Sequence, residues 1–270
     1  MGFTVSGINV YPVKGMKGIA LERALCTDRG IEHDRRWMVV DGEGHFLSQR
    51  EHPRMATVWT DLDRDFLSLS AADAGEVRVP LEPPPAPPMK VRVWRSTVEA
   101  LPASREADFW LSEYLGMPCR LVYMPDDSER YSNPQYAGEG KRVGFADGYA
   151  YLLIGEGSLQ DLNARLAEKE HPALPMNRFR PNLVVAGSPP YAEDGWKEVR
   201  IGGAVFRAVK PCGRCQVTTT DQSSGEVRGP EPLATLAEYR ESGEFGLMFG
   251  MNLVSEVAGK VRVGDPLQAA

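Results

Sequence analysis

Long apolar runs are missing from this chain of 270 residues. A membrane-spanning helix needs roughly 20 such residues, and the opening MGFTVSGINVYPVKG has neither the basic nor the apolar region of a signal peptide. The expectation is a cytoplasmic protein with no membrane association. Cysteine is scarce at four residues without a regular framework, which excludes a disulfide scaffold and fits a reducing compartment. Only one CxxC pair occurs, and the four histidines (His33, His45, His52, His171) are scattered. A closed four-ligand zinc site therefore lacks its ligands. Excess positive charge is lacking too. Lys and Arg total 31 against 37 Asp and Glu, a formal charge of -6, so a general nucleic-acid surface is not expected. No internal repeat is present.

What is there is a core-sized chain of strand-like segments, long enough for one large or two modest domains. Trp37–Asp41 and Phe46–Ser48 flank Asp41-Gly42-Glu43-Gly44, a hairpin turn because glycine accepts positive φ. Alternation continues through Ala56–Leu62, Phe66–Leu69 and Val77–Val79, and resumes at Val91–Leu101 after the proline-rich connector EPPPAPP at 82–88. Ser104–Leu115 reads as a helix joining two halves, stopped by Gly116 and Pro118. Strands follow at Cys119–Met124, Tyr149–Ile154, Asn182–Ala186, Val199–Val209, Leu253–Val257 and Val261–Val263. Ser158 with Asp161 suggests a capped helix start, and Pro232 suggests another at Leu233–Arg240. The polar stretch 126–144 has no regular pattern. The fold class expected is mainly β with a few helices (α+β), of the barrel or sandwich type.

The most informative stretch is Val209–Asp221, VKPCGRCQVTTTD. A reactive CxxC of the thioredoxin type needs a helix after its first cysteine, whereas Gln216–Thr220 favours a strand. The readings left are a single thiolate at the mouth of a strand, favoured by Lys210 and Arg214, or two inert thiols. The inert reading suits Cys26 and Cys119. Cations cluster locally at three other points. Lys14 projects from the turn Tyr11-Pro12-Val13-Lys14-Gly15. The pairs Arg35-Arg36 and Arg178-Phe179-Arg180 open strands whose alternation sends at most one of each pair into a common cleft. Arginine suits bidentate grip on phosphate. Together these groups suit a ligand carrying both phosphate and a soft metal.

The motifs YPVKG, DRRW, NRFRPNLVV, AEDGW, KPCGRCQVTTTD, EPLATL, FGMN and VRVGDPL occur in one order from Ile8 to Leu267. In that order they resemble the MOSC family, and within it the amidoxime-reducing subgroup with an N-terminal MOSC β-barrel-like domain. The resemblance implies a smaller β-rich domain over 1–118 and a MOSC β-barrel over 119–270. It implies molybdenum cofactor (Mo-molybdopterin), with Cys215 as the metal-ligating, catalytic thiolate, a soft donor. Lys14, Arg35 and Arg180 match residues that bind its phosphate and pterin, Asn182 a pterin contact, and Gly15 a backbone N–H contributor. Gly213 and Arg214 line the same turn, and Asn252 falls where some relatives carry Tyr. Gly148 and Tyr149 replace a Thr-Ser pair, and Cys212 has no ligand role. The implied chemistry is reduction of small N-hydroxylated compounds such as amidoximes, hydroxylamines and N-hydroxylated purines. Electrons would come from a separate flavin or iron–sulfur donor protein, because an iron–sulfur centre needs four cysteines and none follows Cys215. Two other readings stand beside it: a carrier of the cofactor or of sulfur, and a non-catalytic domain in which the CxxC is structural.

Overall fold

A computed structural model describes residues 2–270. Seven strands close into a barrel in the order Tyr151–Gly155, Leu183–Ala186, Phe3–Val10, Pro266–Ala269, Glu198–Ile201, Ala204–Gly213 and Gly246–Val257. The last returns to pair with Tyr151–Gly155 through Tyr151 opposite Leu253, so neither of these two strands is left as an edge of the ring. Alternate residues point inward: Leu153, Leu183, Val185, Val199, Ile201, Phe206 and Leu253 share one core with Val5 and Ile8. Tyr151 meets Phe206 edge-on at 4.9 Å. The strands Tyr151–Gly155 and Leu183–Ala186 are parallel and are joined by the helix Glu156–Glu168. A parallel pair needs such a crossover.

A second core lies outside the barrel. The strands Trp37–Val40, Arg120–Tyr123, Ser96–Pro102 and Met89–Val93 form one sheet, and Trp59–Leu62, Phe66–Ala71 and Gly75–Pro80 a second. The helix Arg105–Leu115 buries Ala107, Leu111 and Tyr114 against Trp37, Val39, Leu67, Leu69 and Leu121. Its start is set by the Ser104 hydroxyl, which accepts from the Ala107 N–H, and its end by Gly116 at φ 69°. Strand pairing crosses residue 118 in both directions. Phe3–Val10 belongs to the barrel, and Arg120–Tyr123 pairs with Trp37–Val40. The chain thus passes from the barrel into the second core between Val10 and Trp37. No helix is long and apolar enough to cross a membrane among the described residues.

Several local expectations change. Gln216–Thr219 is a 3₁₀ turn, not a strand, because the Thr218 and Thr219 hydroxyls turn back onto the Cys215 and Gln216 carbonyls at 2.9 and 2.8 Å. Ser158 does not cap its helix. It is fully buried and donates to Glu193, whose carboxylate also accepts the Gly155 N–H at the helix start. Residues Pro53–Thr57 form a 3₁₀ turn ahead of a strand that begins only at Trp59, and the helix after Pro232 stops at Ala237. Cys26 and Cys119 are buried as expected, and burial pushes the Cys26 thiol up to about 12.

Candidate functional site

The passage from barrel to second core forms one wall of a cleft. Strand entrances form the others. The cleft holds about 940 Å3, its open mouth included, and Lys14, Gly15, Arg35, Arg180, Asn182, Gly213, Arg214, Cys215 and Asn252 all line it. The neighbours Arg36 and Arg178 do turn away, but not by strand alternation: Arg178 ends the 3₁₀ turn Met176–Arg178, and Arg35 and Arg180 lie outside the strands at φ 47° and 55°. Arg36 binds the Met124 carbonyl and Asp126, while Arg178 reaches the Thr218 carbonyl at 3.3 Å and Asp221 at 3.5 Å.

Two guanidinium groups stand close together because Tyr11 and Asp34 hold them there. The Tyr11 ring lies 4.2 Å from Arg35 and 4.4 Å from Arg180, so one aromatic ring serves both cations. Burial pushes the Tyr11 hydroxyl up to about 12, and it donates to the Pro181 carbonyl at 3.1 Å. Asp34 accepts from Arg35 at 2.6 Å, from the Tyr11 N–H at 2.8 Å and from Asn182 at 3.1 Å. Burial raises the Asp34 carboxyl against these three opposing donors. Asn182 accepts from Arg35 and the Leu152 N–H and donates to Asp34 and the Asn9 carbonyl. All its amide positions are used within the protein. On the cleft wall, the Asn182 side chain thus orients Arg35 and Asp34. The Arg180 guanidinium makes one hydrogen bond among the described residues, 3.4 Å to Gln222, which leaves its other donors for the cleft. Burial lowers it to about 10, a value at which it still carries its charge at neutral pH.

The sulfur sits past the end of the strand Ala204–Gly213. Gly213 is required there because a Cβ would lie 2.2 Å from the Phe245 carbonyl oxygen. Cys215 then opens the 3₁₀ turn, with its thiol half-buried at the cleft wall. The cations beside it differ from those expected. Lys210 lies over the Tyr136 and Phe245 rings and does not line the cleft. Arg214 serves the other cysteine, donating to Cys212 Sγ at 3.0 Å and to the Phe179 carbonyl at 2.7 Å. A guanidinium that does approach Cys215 is that of Arg50, 4.0 Å from Sγ and stacked 4.3 Å over Trp94.

Arg50, Trp94 and Asp147 escaped sequence reasoning because each sits in a loop or turn with no repeating pattern. Asp147 accepts from the Lys14 ammonium and, at 3.0 Å, from the Trp94 indole N–H. Desolvation in the cleft raises the Asp147 carboxyl, yet Lys14 and Trp94 outweigh it and hold the group well below the usual range. Its side chain is 68 % exposed, so solvent screens this pair. Desolvation lowers the Lys14 ammonium, opposed by Asp147. Beneath the cleft Gln49 and Gln222 exchange amide hydrogen bonds, and Gln49 also binds the Gly15 carbonyl. That fastens the Lys14 turn to the loop behind Cys215.

The donor set fits a phosphorylated soft-metal ligand. Lys14, Arg35, Arg50, Arg180 and Arg214 face the cleft with one carboxylate, Asp147, among the lining residues and a second, Asp34, buried behind Arg35, and Arg214 Nε is buried without a partner. No group of three or more His, Cys, Asp or Glu suited to a metal ion occurs among the described residues. Two thiols, Cys212 and Cys215, line the cleft among several cations, and Cys212 is the one engaged by Arg214. Family models match the chain as MOSC N-terminal beta barrel domain over residues 2–118 and MOSC domain over 140–268. The chain belongs to the MOSC family. Its relatives include mitochondrial amidoxime-reducing component 1 of Mus musculus, 34% identical over 98% of this chain and 81% of the relative. The Homo sapiens protein of that name is 33% identical over 98% and 82%. Molybdenum cofactor sulfurase of Oryza sativa subsp. japonica is 33% identical over 98% of this chain but only 34% of its own length. MOSC membership accounts for the barrel and its associated N-terminal part.

Proposed function

We propose that this MOSC protein is a molybdenum-cofactor-dependent reductase of N-hydroxylated compounds: amidoximes, hydroxylamines and N-hydroxylated purines. The observation that carries the reading is the meeting of Cys215 with Lys14, Arg35 and Arg180 in one cleft, in a chain similar over 98% of its length to amidoxime-reducing components. Lys14, Arg35 and Arg180 would hold the cofactor's phosphate, with Tyr11 and Asp34 fixing the two guanidinium groups in advance. Cys215 would ligate molybdenum through sulfur. When bound, the cofactor supplies the two-electron chemistry that removes the oxygen of an N–OH group. Each turnover takes two electrons and two protons, replaces N–OH by N–H and releases water. The chain's own part is to bind, orient and balance charge, and a separate flavin or iron–sulfur protein would return the electrons.

Similarity to molybdenum cofactor sulfurases keeps a second reading, a carrier that passes cofactor or sulfur onward. Fast transfer of cofactor to an acceptor apo-enzyme favours the carrier, and slow exchange with turnover favours the reductase. The deciding experiment gives molybdenum-loaded protein dithionite-reduced viologen and a panel of N-hydroxylated substrates. Conversion to the N–H products is expected. No conversion of any of them at full loading would end the reductase reading.

A further inference from the structure

Beside the cofactor cleft opens a vestibule of about 1070 Å3, its open mouth included, lined by Phe46, Trp94, Tyr131 and Arg130. The two spaces share Phe46, Trp94, Asp147 and Gly148 as a common wall. A molecule in the vestibule is therefore one side chain away from the group that borders Cys215. Three aromatic rings line it. Phe46 and Trp94 lie 4.8 Å apart and tilted, while Trp94 is 38% and Tyr131 50% exposed. Single exposed aromatics occur elsewhere on this chain, as at Trp59 and Phe109, but here three rings line one space beside the cleft, an arrangement that a flat ligand can cover.

Trp94 is kept in place at a cost. It occupies the two-residue turn between Met89–Val93 and Ser96–Pro102 at φ 55°. Glycine or asparagine relieves strain at such a position, and a bulky side chain there is an outlier. Strain of this kind persists only where the surroundings over-determine it. Here they do: the indole N–H donates to Asp147 at 3.0 Å, and Arg50 stacks on the ring at 4.3 Å while reaching 4.0 Å from Cys215 Sγ. The ring cannot turn away without breaking both contacts.

Resting on the reductase reading, we propose that Trp94, with Phe46 and Tyr131, is the platform that sets substrate preference, stacking flat aromatic N-hydroxylated compounds over small aliphatic ones. The N-terminal part of the chain thereby contributes the specificity wall, and the barrel contributes the sulfur.

The test compares benzamidoxime with acetamidoxime, its small aliphatic counterpart, in wild type, Trp94→Phe and Trp94→Gly, all with viologen as electron source so that no donor protein takes part. The ratio of kcat/KM for the two substrates is the readout, because partial cofactor loading cancels in it. A fall in that ratio of about five- to tenfold is expected for W94G, in line with the worth of one aromatic stack, with most of it restored in W94F. Glycine relieves the turn but gives up the indole contacts to Asp147 and Arg50, so melting curves of W94G and W94F establish that each is folded before its ratio is read. In the oxidised enzyme, benzamidoxime should quench tryptophan fluorescence in wild type and much less in W94F. An unmoved ratio in W94G, or equal quenching in wild type and W94F, would overturn the proposal. If wild type converts neither substrate at full loading, it is the reductase reading that fails, and the quenching arm still judges the platform.

Discussion

Replacing Asp34 by alanine is the sharpest perturbation of how the cleft is held. The Asp34 side chain is 2% exposed and that of Arg35 12%, so the pair is almost fully desolvated. Removing one member of a buried pair costs about 3–5 kcal/mol, since the other charge stays behind. The Tyr11 N–H also loses its acceptor, a further cost of about 1–3 kcal/mol. Against this, Arg35 keeps Asn182 at 3.0 Å and the Arg180 carbonyl at 3.3 Å as neutral acceptors. The low end of the combined range, about 4 kcal/mol, is the expected loss. At about 2–4 °C per kcal/mol for a domain of this size, that lowers Tm by about 8–16 °C. Because Asp34 also fixes Asn182 and holds Arg35 beside Arg180, molybdenum and pterin content should fall in the surviving folded protein. Calorimetry and elemental analysis on one preparation read both effects. An unchanged Tm in D34A would refute the buried-pair argument, and a lowered Tm with wild-type molybdenum content would refute the positioning argument.

Two further outcomes follow from the geometry. Gly213→Ala places a Cβ 2.2 Å from the Phe245 carbonyl oxygen, so the strand must shift by about 1 Å at a cost of about 1–3 kcal/mol. Lower Tm together with lower molybdenum content is expected, since Cys215 lies two residues further on, and a wild-type melting curve would deny the close approach. Asp221 is held down at about 2 by the Ser223 hydroxyl, the Ser223 and Ser224 N–H groups and Arg178. A depressed carboxyl contributes stability that is present above its unfolded value of about 4 and is lost as pH falls toward its folded value. Asp221→Asn should therefore flatten the acid limb of Tm against pH below about 4, and an unchanged limb would count against the pairing.

What could be read from the sequence was what local pattern encodes. Period-two alternation marked most strands, and the Ser104 cap and Gly116 stop marked the helix Arg105–Leu115 within a residue. Closure of the barrel was not legible, because Val5 pairs with Val185 across most of the chain and nothing local signals it. Gln216–Thr219 misled because threonine's β preference yields when its hydroxyl can bond a nearby carbonyl. Lys14, Arg35, Arg180 and Cys215 stood out because each sits in a punctuated motif at a strand end. Arg50 and Asp147 had no such frame. Trp94 fell inside the run read as Val91–Leu101, because a tryptophan at a positive-φ turn position runs against propensity. Conflicts of that sort collect where function overrides local preference.

The central claim is that Cys215 and the Lys14, Arg35 and Arg180 cations together hold one phosphorylated molybdenum cofactor. Elemental molybdenum and pterin fluorescence, measured on protein from a cofactor-competent host and on Cys215→Ala, test it most directly. Wild type should carry molybdenum and pterin in equal amounts, and C215A should lose the metal while remaining folded. Wild-type protein free of both, or C215A with undiminished molybdenum, would contradict the account.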